Sequence, residues 1–565
     1  MLGCIPLLLN LWQIPVASRS GHIIARKDSR AQGAPLEVRV SSWGPSQKLI
    51  DETIDKLPHQ PGLRNLLLGK RYRLLAFELV KPDKDEKSSP DTFNAVYYDY
   101  TSNQSLRAEG QLDHLANLKV TAGNDQPLPS NEEYEAAVAI LLSDPKIGLN
   151  LTQRLVVANP AMPPVIYPDP LNGSIVERTI NVLLMPTEKS SIQSEVVGVN
   201  MVRNSIVHFP GGAPPTSKAA PDTCGISSAG QSTTTSGTAG QYQFEIMKNG
   251  VTLWSFLAIR PSASSGASDR SGIELQDVKY KGKMVLKRMH TPILNVNYDG
   301  GACGPFRDWQ WEEGMFEAVG TDVPGTNGGV RDCGDTPATT AVDTNDDTGN
   351  FRGIAFYRQG DEVVLVSEMS AGWYRYICEY RFDSNGTIRP RYGYGATTNS
   401  CVCLAHAHHV YWRLDFDIGG SGDNVIRPSR REFSWGSPYS SEVRVHRGAR
   451  QNWLVQNEKT LNAYMIRPNS NDGSAAQGSY GRGDLWFVLF KAAEISDKSA
   501  GVYTGTPANL DSFVNREALK TDLVIWYAAH FYHDDGGNKP MPSDTAPRAL
   551  AGHHVHGPDL VPVRW

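Results

Sequence analysis

From about residue 241 to residue 565 the chain consists of strand-like runs separated by turn clusters at short intervals, and helical patterns are few. A long strand-rich segment with frequent turns is typical of a large β-sandwich. We therefore predict an antiparallel β-sandwich over residues 241–565. The preceding residues, 211–240, are rich in Pro, Gly, Ser and Thr without periodicity, and this composition predicts a linker.

Two earlier segments, residues 36–125 and 126–210, each combine one helical pattern with several strand-like runs. The first helix is expected to begin at Ser46, and the second at a capping box made by Ser130 and Glu133. The apolar faces of the two helices are formed by Ile50, Ile54 and Leu57, and by Tyr134, Val138 and Leu141. The fold class predicted for the whole chain is α+β, with two small α+β domains ahead of the sandwich.

The bulk composition is that of an ordinary soluble protein with a mildly acidic surface. The chain has 565 residues, 20% of them charged, and a formal net charge of −5. It contains no basic domain, so we expect no nucleic-acid partner. No run beyond the first segment is apolar for long enough to span a bilayer.

Residues 1–19 form an apolar run that ends in small residues, which predicts a secretory signal peptide and an extracellular location. A short buried helix is the alternative interpretation. If this segment is removed, Cys4 leaves with it and six cysteines remain, an even number that permits disulfides in a secreted chain.

A candidate metal site lies in the sequence H-A-H, because His406 and His408 alternate on a strand and therefore share one face. Imidazole nitrogens at this spacing suit copper or zinc. Upstream, Tyr374 lies in an aromatic strand-like run that turns at Ser384-Asn385-Gly386. A tyrosine on one strand and two histidines on another are suited to metal-assisted redox chemistry.

The order of four motifs, A-G-W-Y-R-Y, D-S-N-G-T-I, H-A-H and L-D-F-D, resembles the catalytic domain of the copper-containing amine oxidases. In that family a V-G-N-Y-D/E-Y tyrosine becomes topaquinone, and H-x-H and L-D-x-D follow it. The segments at 254–256 and 272–282 also resemble the start of that domain. The chain is therefore identified as a divergent and shortened member, with 36–125 and 126–210 resembling the family's N2 and N3 domains.

The resemblance implies that His406 and His408 bind Cu²⁺ with a third histidine. The segment D-L-V-I-W resembles the family strand whose third ligand lies seven residues after the Trp, and this position is His533. His530 is a nearby alternative. The G-H-H-V-H cluster offers His554 as another.

A second metal site and a catalytic base follow from the same resemblance. Asp415, Asp417 and Asp522 match the family's peripheral calcium-type site, and carboxylate oxygens suit Ca²⁺. Solvated strand-edge carboxylates are the alternative. Asp299 occupies the place of the aspartate that removes the substrate α-proton, although Asp-Gly-Gly is also an ordinary turn.

The resemblance further implies a Cys303–Cys333 disulfide and a homodimer. Glycosylation of a secreted chain is expected at N-x-S/T sequons, although such short motifs also occur by chance. These sequons begin at Asn103, Asn150, Asn172 and Asn385.

The residues beside Tyr374 depart from the family motif, because Trp373 replaces Asn and Arg375 replaces the acidic residue. Trp373 adds bulk and Arg375 reverses the charge, and either is expected to be able to redirect the tyrosine ring. Three hypotheses stay open for Tyr374: a topaquinone precursor, an unmodified copper ligand or radical site, or plain core packing.

The predicted function is a secreted primary-amine oxidase that uses Cu²⁺, topaquinone derived from Tyr374, and dioxygen. The alternative is a copper protein on the same scaffold without topaquinone, acting as a copper-tyrosine oxidase or as a non-catalytic metal-binding protein.

Overall fold

The computed structural model describes residues 35–79, 91–166, 176–186, 190, 192, 195–208, 224–226, 240–265, 270–298, 306–431, 434–475, 478–494, 509–533 and 556–565. The predicted signal peptide, residues 1–19, lies outside these residues, and secretion stays a prediction. Most of the predicted linker, 211–240, lies outside them as well.

The first part of the fold packs two helices on a four-stranded antiparallel sheet. Ser46 caps the first helix as predicted, because its hydroxyl accepts the Leu49 N–H at 3.3 Å. The apolar side chains of the helices, Ile50 and Leu63 among them, pack on Phe77 and other residues of the sheet. The elements are α1 (Gln47–Lys56), α2 (Pro61–Leu67) and the four strands β2 (Tyr72–Leu79), β3 (Thr92–Asp99), β4 (Gln104–Gln111) and β5 (His114–Gly123), and β1 (Leu36–Ser42) precedes them.

A second unit of helices and strands has the same plan. Ser130 caps its first helix by accepting the Glu133 N–H at 3.1 Å, as predicted. The carboxylate of Glu133, however, is bound by the buried guanidinium of Arg178 at 2.6 and 2.9 Å and accepts the Tyr100 O–H at 2.7 Å. The elements are α3 (Asn131–Leu142), α4 (Ile147–Thr152), β6 (Val156–Val165), β7 (Thr179–Pro186), β8 (Glu195–Asn200) and β9 (Ser205–Val207).

The remaining strands form two large sheets, as the turn-rich sequence predicted. Strand pairing is antiparallel throughout the described sheets except between β16 and β17. The elements are β10 (Gln241–Lys248), β11 (Val251–Ile259), β12 (Glu274–Tyr280), β13 (Lys283–Tyr298), β14 (Phe306–Arg307), β15 (Thr321–Asp322), β16 (Val330–Asp332), α5 (Ala341–Thr344), β17 (Ile354–Gln359), β18 (Glu362–Ala371), β19 (Tyr374–Asp383), β20 (Ile388–Ala396), β21 (His406–Phe416), β22 (Asn424–Arg431), β23 (Ser434–Trp435), β24 (Val443–Val445), β25 (Trp453–Asn457), β26 (Ala463–Arg467), β27 (Leu485–Leu489), β28 (Leu523–His533) and β29 (Asp559–Arg564).

The first large sheet has the order β1-β10-β11-β12-β13-β21-β28-β27-β24, and the second has the order β15-β16-β17-β18-β19-β20-β29-β26-β25-β22-β23. Their inner faces share one core, in which Phe256 of the first sheet stacks on Phe382 of the second at 4.3 Å. Strand β1 belongs to the first of these sheets although it precedes the small α+β units. The predicted domain boundaries remain predictions.

The predicted Cys303–Cys333 disulfide is wrong. Cys224 is bonded to Cys403, and Cys401 is also disulfide-bonded, whereas Cys333 carries a free, buried thiol. Cys303 lies outside the described residues. Pairing requires neighbouring Cα atoms, and the spacing of cysteines along a chain does not encode that distance.

Within the described part of the chain, no helix is both long and apolar enough to cross a membrane.

Candidate active site

Three strands of the first large sheet bring the predicted histidines together. Strand β21 lies between β13 and β28, and its residue His406 is opposite Tyr298 on β13 and opposite His533 on β28. Directly opposed residues of antiparallel strands project from the same face of a sheet. His408, two residues along β21, shares that face, so all three predicted copper ligands meet.

The histidine cluster is buried and close. The Nδ1 atom of His533 lies 3.3 Å from Nε2 of His406, and the ring centroid of His406 lies 5.0 Å from that of His408. The three side chains are at most 6% exposed. Within the part of the chain that the structure describes, the three histidines do not form a group whose ligand atoms all lie within 4.8 Å of one another. Metal binding there requires side-chain rotation.

Hydrogen bonds set the tautomers of His406 and His408. The Nδ1 of His406 lies 2.6 Å from the Leu404 carbonyl, which can only accept, so Nδ1 carries the proton. The Nδ1 of His408 lies 3.3 Å from the Tyr376 hydroxyl, which itself donates to the Asp308 carboxylate. The phenol oxygen therefore accepts from His408, whose buried Nε2 has no hydrogen-bond partner within the described ranges.

Burial also keeps these rings neutral. It lowers the pKa of His406 to about 3 and the pKa of His408 well below its ordinary value, and neighbouring histidines add to both effects. A neutral imidazole with a buried lone pair is the donor that a copper ion needs. The residues present therefore fit a copper ion.

The alternative third ligands differ in position. His530 lies on the other face of β28, where its Nδ1 is 2.9 Å from Nδ1 of His409 and its Nε2 is 2.9 Å from a backbone carbonyl. It is not part of the cluster. His554 lies outside the described residues, and the buried ring of His556 stacks on Phe531. The geometry favours His533.

Tyr374 stands at the start of β19, after the two-residue turn Gly372-Trp373. Gly372 has a φ of +58°, as the first central position of a type II′ turn requires. The ring of Tyr374 lies edge-on to His408, with centroids 4.8 Å apart, and its hydroxyl is hydrogen-bonded to that of Tyr298. The predicted tyrosine and histidines therefore lie side by side, although they come from opposite sheets.

Arg375 was expected to be able to redirect the ring, and the structure places its guanidinium away from the ring. Because side chains alternate along β19, Arg375 points away from Tyr374 and binds Asp347 at 2.6 and 2.9 Å. Its charge is compensated there. Trp373 does reach the site, because its indole N–H donates to the Tyr298 hydroxyl at 3.1 Å.

The predicted base, Asp299, lies outside the described residues. The structure shows a buried carboxylate, Asp308, that accepts a hydrogen bond from the Tyr376 hydroxyl, and this hydroxyl lies 3.3 Å from Nδ1 of His408. The sequence analysis missed both Asp308 and Tyr298. Both residues had a signal in the sequence. Tyr298 immediately precedes Asp299, and Asp308 opens the acidic and aromatic segment D-W-Q-W-E-E shortly after the strand.

Two further carboxyl groups are buried behind β19. Burial raises the pKa of Glu312 and of Glu368 from about 4.5 to about 8, against a lowering influence from Arg375. Glu368 also accepts the backbone N–H of Ala341 at 2.8 Å. Both groups therefore hold a proton at neutral pH.

The protons on Glu312 and Glu368 predict a stability that falls with rising pH. Between about 4.5 and 8 the folded state binds more protons than the unfolded state, so the free energy of unfolding decreases through this window. We expect a Glu312→Gln/Glu368→Gln double variant to show a smaller decrease than the wild type in urea unfolding at pH 5 and pH 8.5. The exposed Glu109→Gln variant is the control, and equal slopes for the double variant and wild type would contradict the prediction.

The predicted hard-cation residues also meet. Asp415, Asp417 and Asp522 each place a carboxylate oxygen within 4.8 Å of the others, and two of the three are buried. Arg413 donates to Asp415 at 3.3 Å while binding Glu494 more closely, so it shares part of the Asp415 charge.

Comparison with known proteins gives sequence relatives over part of the chain. Primary amine oxidase 2 of Arabidopsis thaliana is 24% identical over 224 residues, which cover 30% of this chain and 33% of that protein. Amine oxidase [copper-containing] alpha 2, peroxisomal, of the same organism is 23% identical over 235 residues, 30% of this chain and 34% of that protein. The match spans about a third of the length of these curated relatives. No protein-family model matches the chain.

Solved structures match over nearly the whole chain. A copper-containing benzylamine oxidase from Hansenula polymorpha has a TM-score of 0.59 at 15% identity and covers 92% of this chain and 97% of its own. The Aspergillus nidulans amine oxidase has a TM-score of 0.53 at 14% identity, with 92% and 88% covered. Pichia pastoris lysyl oxidase has a TM-score of 0.52 at 14% identity, with 94% and 92% covered. At these identities the structures establish a shared fold. In part of its sequence and in its fold, this chain is thus similar to copper-containing amine oxidases.

Proposed function

We propose that this chain is a copper-dependent amine oxidase that converts a primary amine, dioxygen and water into an aldehyde, ammonia and hydrogen peroxide. The observation that carries the proposal is the position of the Tyr374 ring, whose centroid lies 4.8 Å from that of His408 and 5.9 Å from that of His406. A tyrosine buried against neutral imidazoles is placed for oxidation by a metal ion that those imidazoles hold.

His406, His408 and His533 would hold the copper ion. When bound, copper and a quinone made from Tyr374 would supply the two-electron oxidation of the amine and the return of those electrons to dioxygen. The similarity to copper-containing amine oxidases supports both groups. The buried Nε2 of His408, which has no hydrogen-bond partner among the described residues, supports the metal.

The surrounding residues orient Tyr374 and exclude water. Tyr298 and Tyr374 are at most 2% exposed, and their hydroxyls are hydrogen-bonded to each other. Tyr394 stacks on His408 with ring centroids 3.8 Å apart, so the ligand and the tyrosine are both packed among aromatic rings. In such a dry site hydrogen bonds and charges act more strongly than in water.

Removal of the substrate α-proton requires a carboxylate, and we assign this role to Asp308 ahead of Asp299. Asp308 is fully buried and bonded to Tyr376, whose ring centroid lies 5.4 Å from that of Tyr374. A carboxylate in a dry site is a stronger base than one in water.

We expect Asp308→Asn to lower kcat by about 10²–10⁴-fold while copper content and Tyr374 modification persist, because the change removes a base and keeps the side-chain shape. Steady-state peroxide release, copper analysis and peptide mass mapping measure the three quantities. Asp299→Asn is the matched comparison and is expected to retain most of the activity. The reverse pattern would return the role of base to Asp299.

Peptide mass mapping around Tyr374 tests the proposed function directly. Copper-loaded, air-exposed protein is digested with and without prior phenylhydrazine, and an oxidised Tyr374 trapped as a hydrazone is the expected result. An unmodified Tyr374 in protein that contains one copper ion per chain would refute the proposal, and a copper protein without topaquinone would replace it.

A hard divalent cation, with calcium as the first choice, is proposed for the carboxylate group of Asp415, Asp417 and Asp522. Carboxylate oxygens that converge in this way suit Ca²⁺. We expect Asp417→Asn to weaken Ca²⁺ binding, followed by titration calorimetry, by about tenfold or more while copper content is unchanged. Calcium affinity equal to that of the wild type would rule this group out.

A further inference from the structure

Trp373 occupies the tip of the β18–β19 hairpin and is tied down on both sides. Its carbonyl accepts the Thr397 N–H at 2.7 Å, and its side chain is only 7% exposed. The turn is short, because Ala371 and Tyr374 pair directly across it, and this restricts the positions that the indole can adopt. The indole is therefore held at one place beside the Tyr374 ring, with centroids 6.0 Å apart.

The indole makes one hydrogen bond that connects the two large sheets. Its Nε1–H donates at 3.1 Å to the hydroxyl of Tyr298, which ends β13 in the opposite sheet. The same hydroxyl is hydrogen-bonded to that of Tyr374 on β19. The side chains of Trp373, Tyr298 and Tyr374 thus form one hydrogen-bonded line, in which Tyr298 of the first large sheet links the hairpin tip to Tyr374 of the second.

The direction of the hydrogen bonds in this line follows from the donor inventory. An indole N–H can only donate, so the Tyr298 oxygen must accept from it. Having accepted one bond, the Tyr298 hydroxyl is the better donor of the phenol pair, and it presents its proton to the Tyr374 oxygen.

We propose that Trp373 is a positioning residue that acts through Tyr298 to hold the Tyr374 phenol at one orientation beside the copper ligands. The proposal rests on the proposed function, because orientation matters only if Tyr374 is oxidised there. Trp373 stands where the family motif has Asn, and its indole N–H then has a specific role beyond the bulk of the ring. Loss of the indole N–H would free Tyr298 to rotate and leave the ring of Tyr374 less well oriented.

The test follows the formation of the modified tyrosine, since amine turnover alone would not separate orientation from binding. The full-length chain is produced without copper, Cu²⁺ is added in air, and the fraction of modified Tyr374 is followed by peptide mass mapping. Trp373→Phe, which keeps an aromatic ring and removes the N–H, is expected to slow modification by about tenfold at unchanged copper content. Trp373→Gln, which restores an N–H donor, is expected to recover part of the rate.

A double-variant comparison shows whether Trp373 acts through Tyr298. In a Tyr298→Phe background the additional Trp373→Phe change is expected to have no further effect on the rate. The control is Trp412→Phe, which is expected to leave the rate unchanged. Trp412 is also a buried tryptophan but, unlike Trp373, its Nε1 has no hydrogen-bond partner among the residues that the structure describes. Circular dichroism checks that each variant folds.

Two results would overturn the inference and leave the proposed function intact. The first is modification of Tyr374 at the wild-type rate in Trp373→Phe. The second is an equal slowing by Trp373→Phe in the presence and absence of the Tyr298 hydroxyl. If the proposed function itself is wrong, the wild-type protein binds copper but its Tyr374 is never modified. That result would overturn both.

Discussion

Replacing Tyr374 with phenylalanine is expected to abolish both the phenylhydrazine-reactive group and amine-dependent peroxide release. Phenylalanine fills the same space beside His408 but lacks the hydroxyl that is bonded to Tyr298. Without a phenol the ring cannot be oxidised to a quinone, so no activity above background is expected. Copper content should remain at one ion per chain, because none of the three predicted ligands is changed.

The matched control is Tyr380→Phe, which removes a buried hydroxyl from the same face of β19, six residues along the strand. This variant is expected to keep both the hydrazone and the activity. Peroxide release that survives in Tyr374→Phe would show that any oxidation proceeds without a cofactor derived from this tyrosine. Equal loss in both variants would point to damage to the core.

Replacing His408 with alanine is expected to remove copper binding, and with it the modification of Tyr374 and all turnover. His408 is a proposed ligand, and its buried Nε2 has no hydrogen-bond partner in the part of the chain that the structure describes. Its loss leaves two histidines and a cavity beside Tyr374, and a site with one of three imidazoles missing loses most of its affinity. Metal analysis after dialysis and peptide mapping of Tyr374 measure the two consequences.

His409→Ala provides the control, because His409 is the next residue of the same strand, is equally buried, and contacts His530 on the other face of the sheet. Both substitutions create a cavity of similar size, so an effect of the cavity alone would appear in both. Copper at one ion per chain in His408→Ala would remove His408 from the metal site. Loss of copper in both variants would attribute the effect to the fold of β21.

Local patterns predicted a large share of the fold. Ser46 and Ser130 begin helices at the expected residues, because a side-chain cap is a contact between residues three apart in sequence. The strand period placed His406 and His408 on one face of β21. The antiparallel sandwich followed from the frequency of turns, and the family's motif spacing selected His533 from three candidates.

Contacts between distant segments were the source of the errors. Glu133 was expected to return to its own helix cap and instead binds Arg178, 45 residues later. Arg375 was expected to disturb Tyr374 and instead binds Asp347 on the far side of the strand. In both cases a buried charged group is paired with a distant residue that no sequence pattern indicates. An unpaired buried charge is costly, so a partner is needed wherever it lies in the chain.

By itself, the sequence determined which side chains share a face and which residues have the chemistry of a copper site, because both depend on residue type and on a period of two or three to four residues. Only the tertiary structure decided that Tyr298, Tyr374 and Trp373 form one hydrogen-bonded line, that the Tyr376 hydroxyl links Asp308 to His408, and that Arg375 is paired with Asp347. The hydrogen-bonded line joins strands of two sheets, and the packing of one sheet on the other is set by the shape of the whole core. No local spacing in the chain records it.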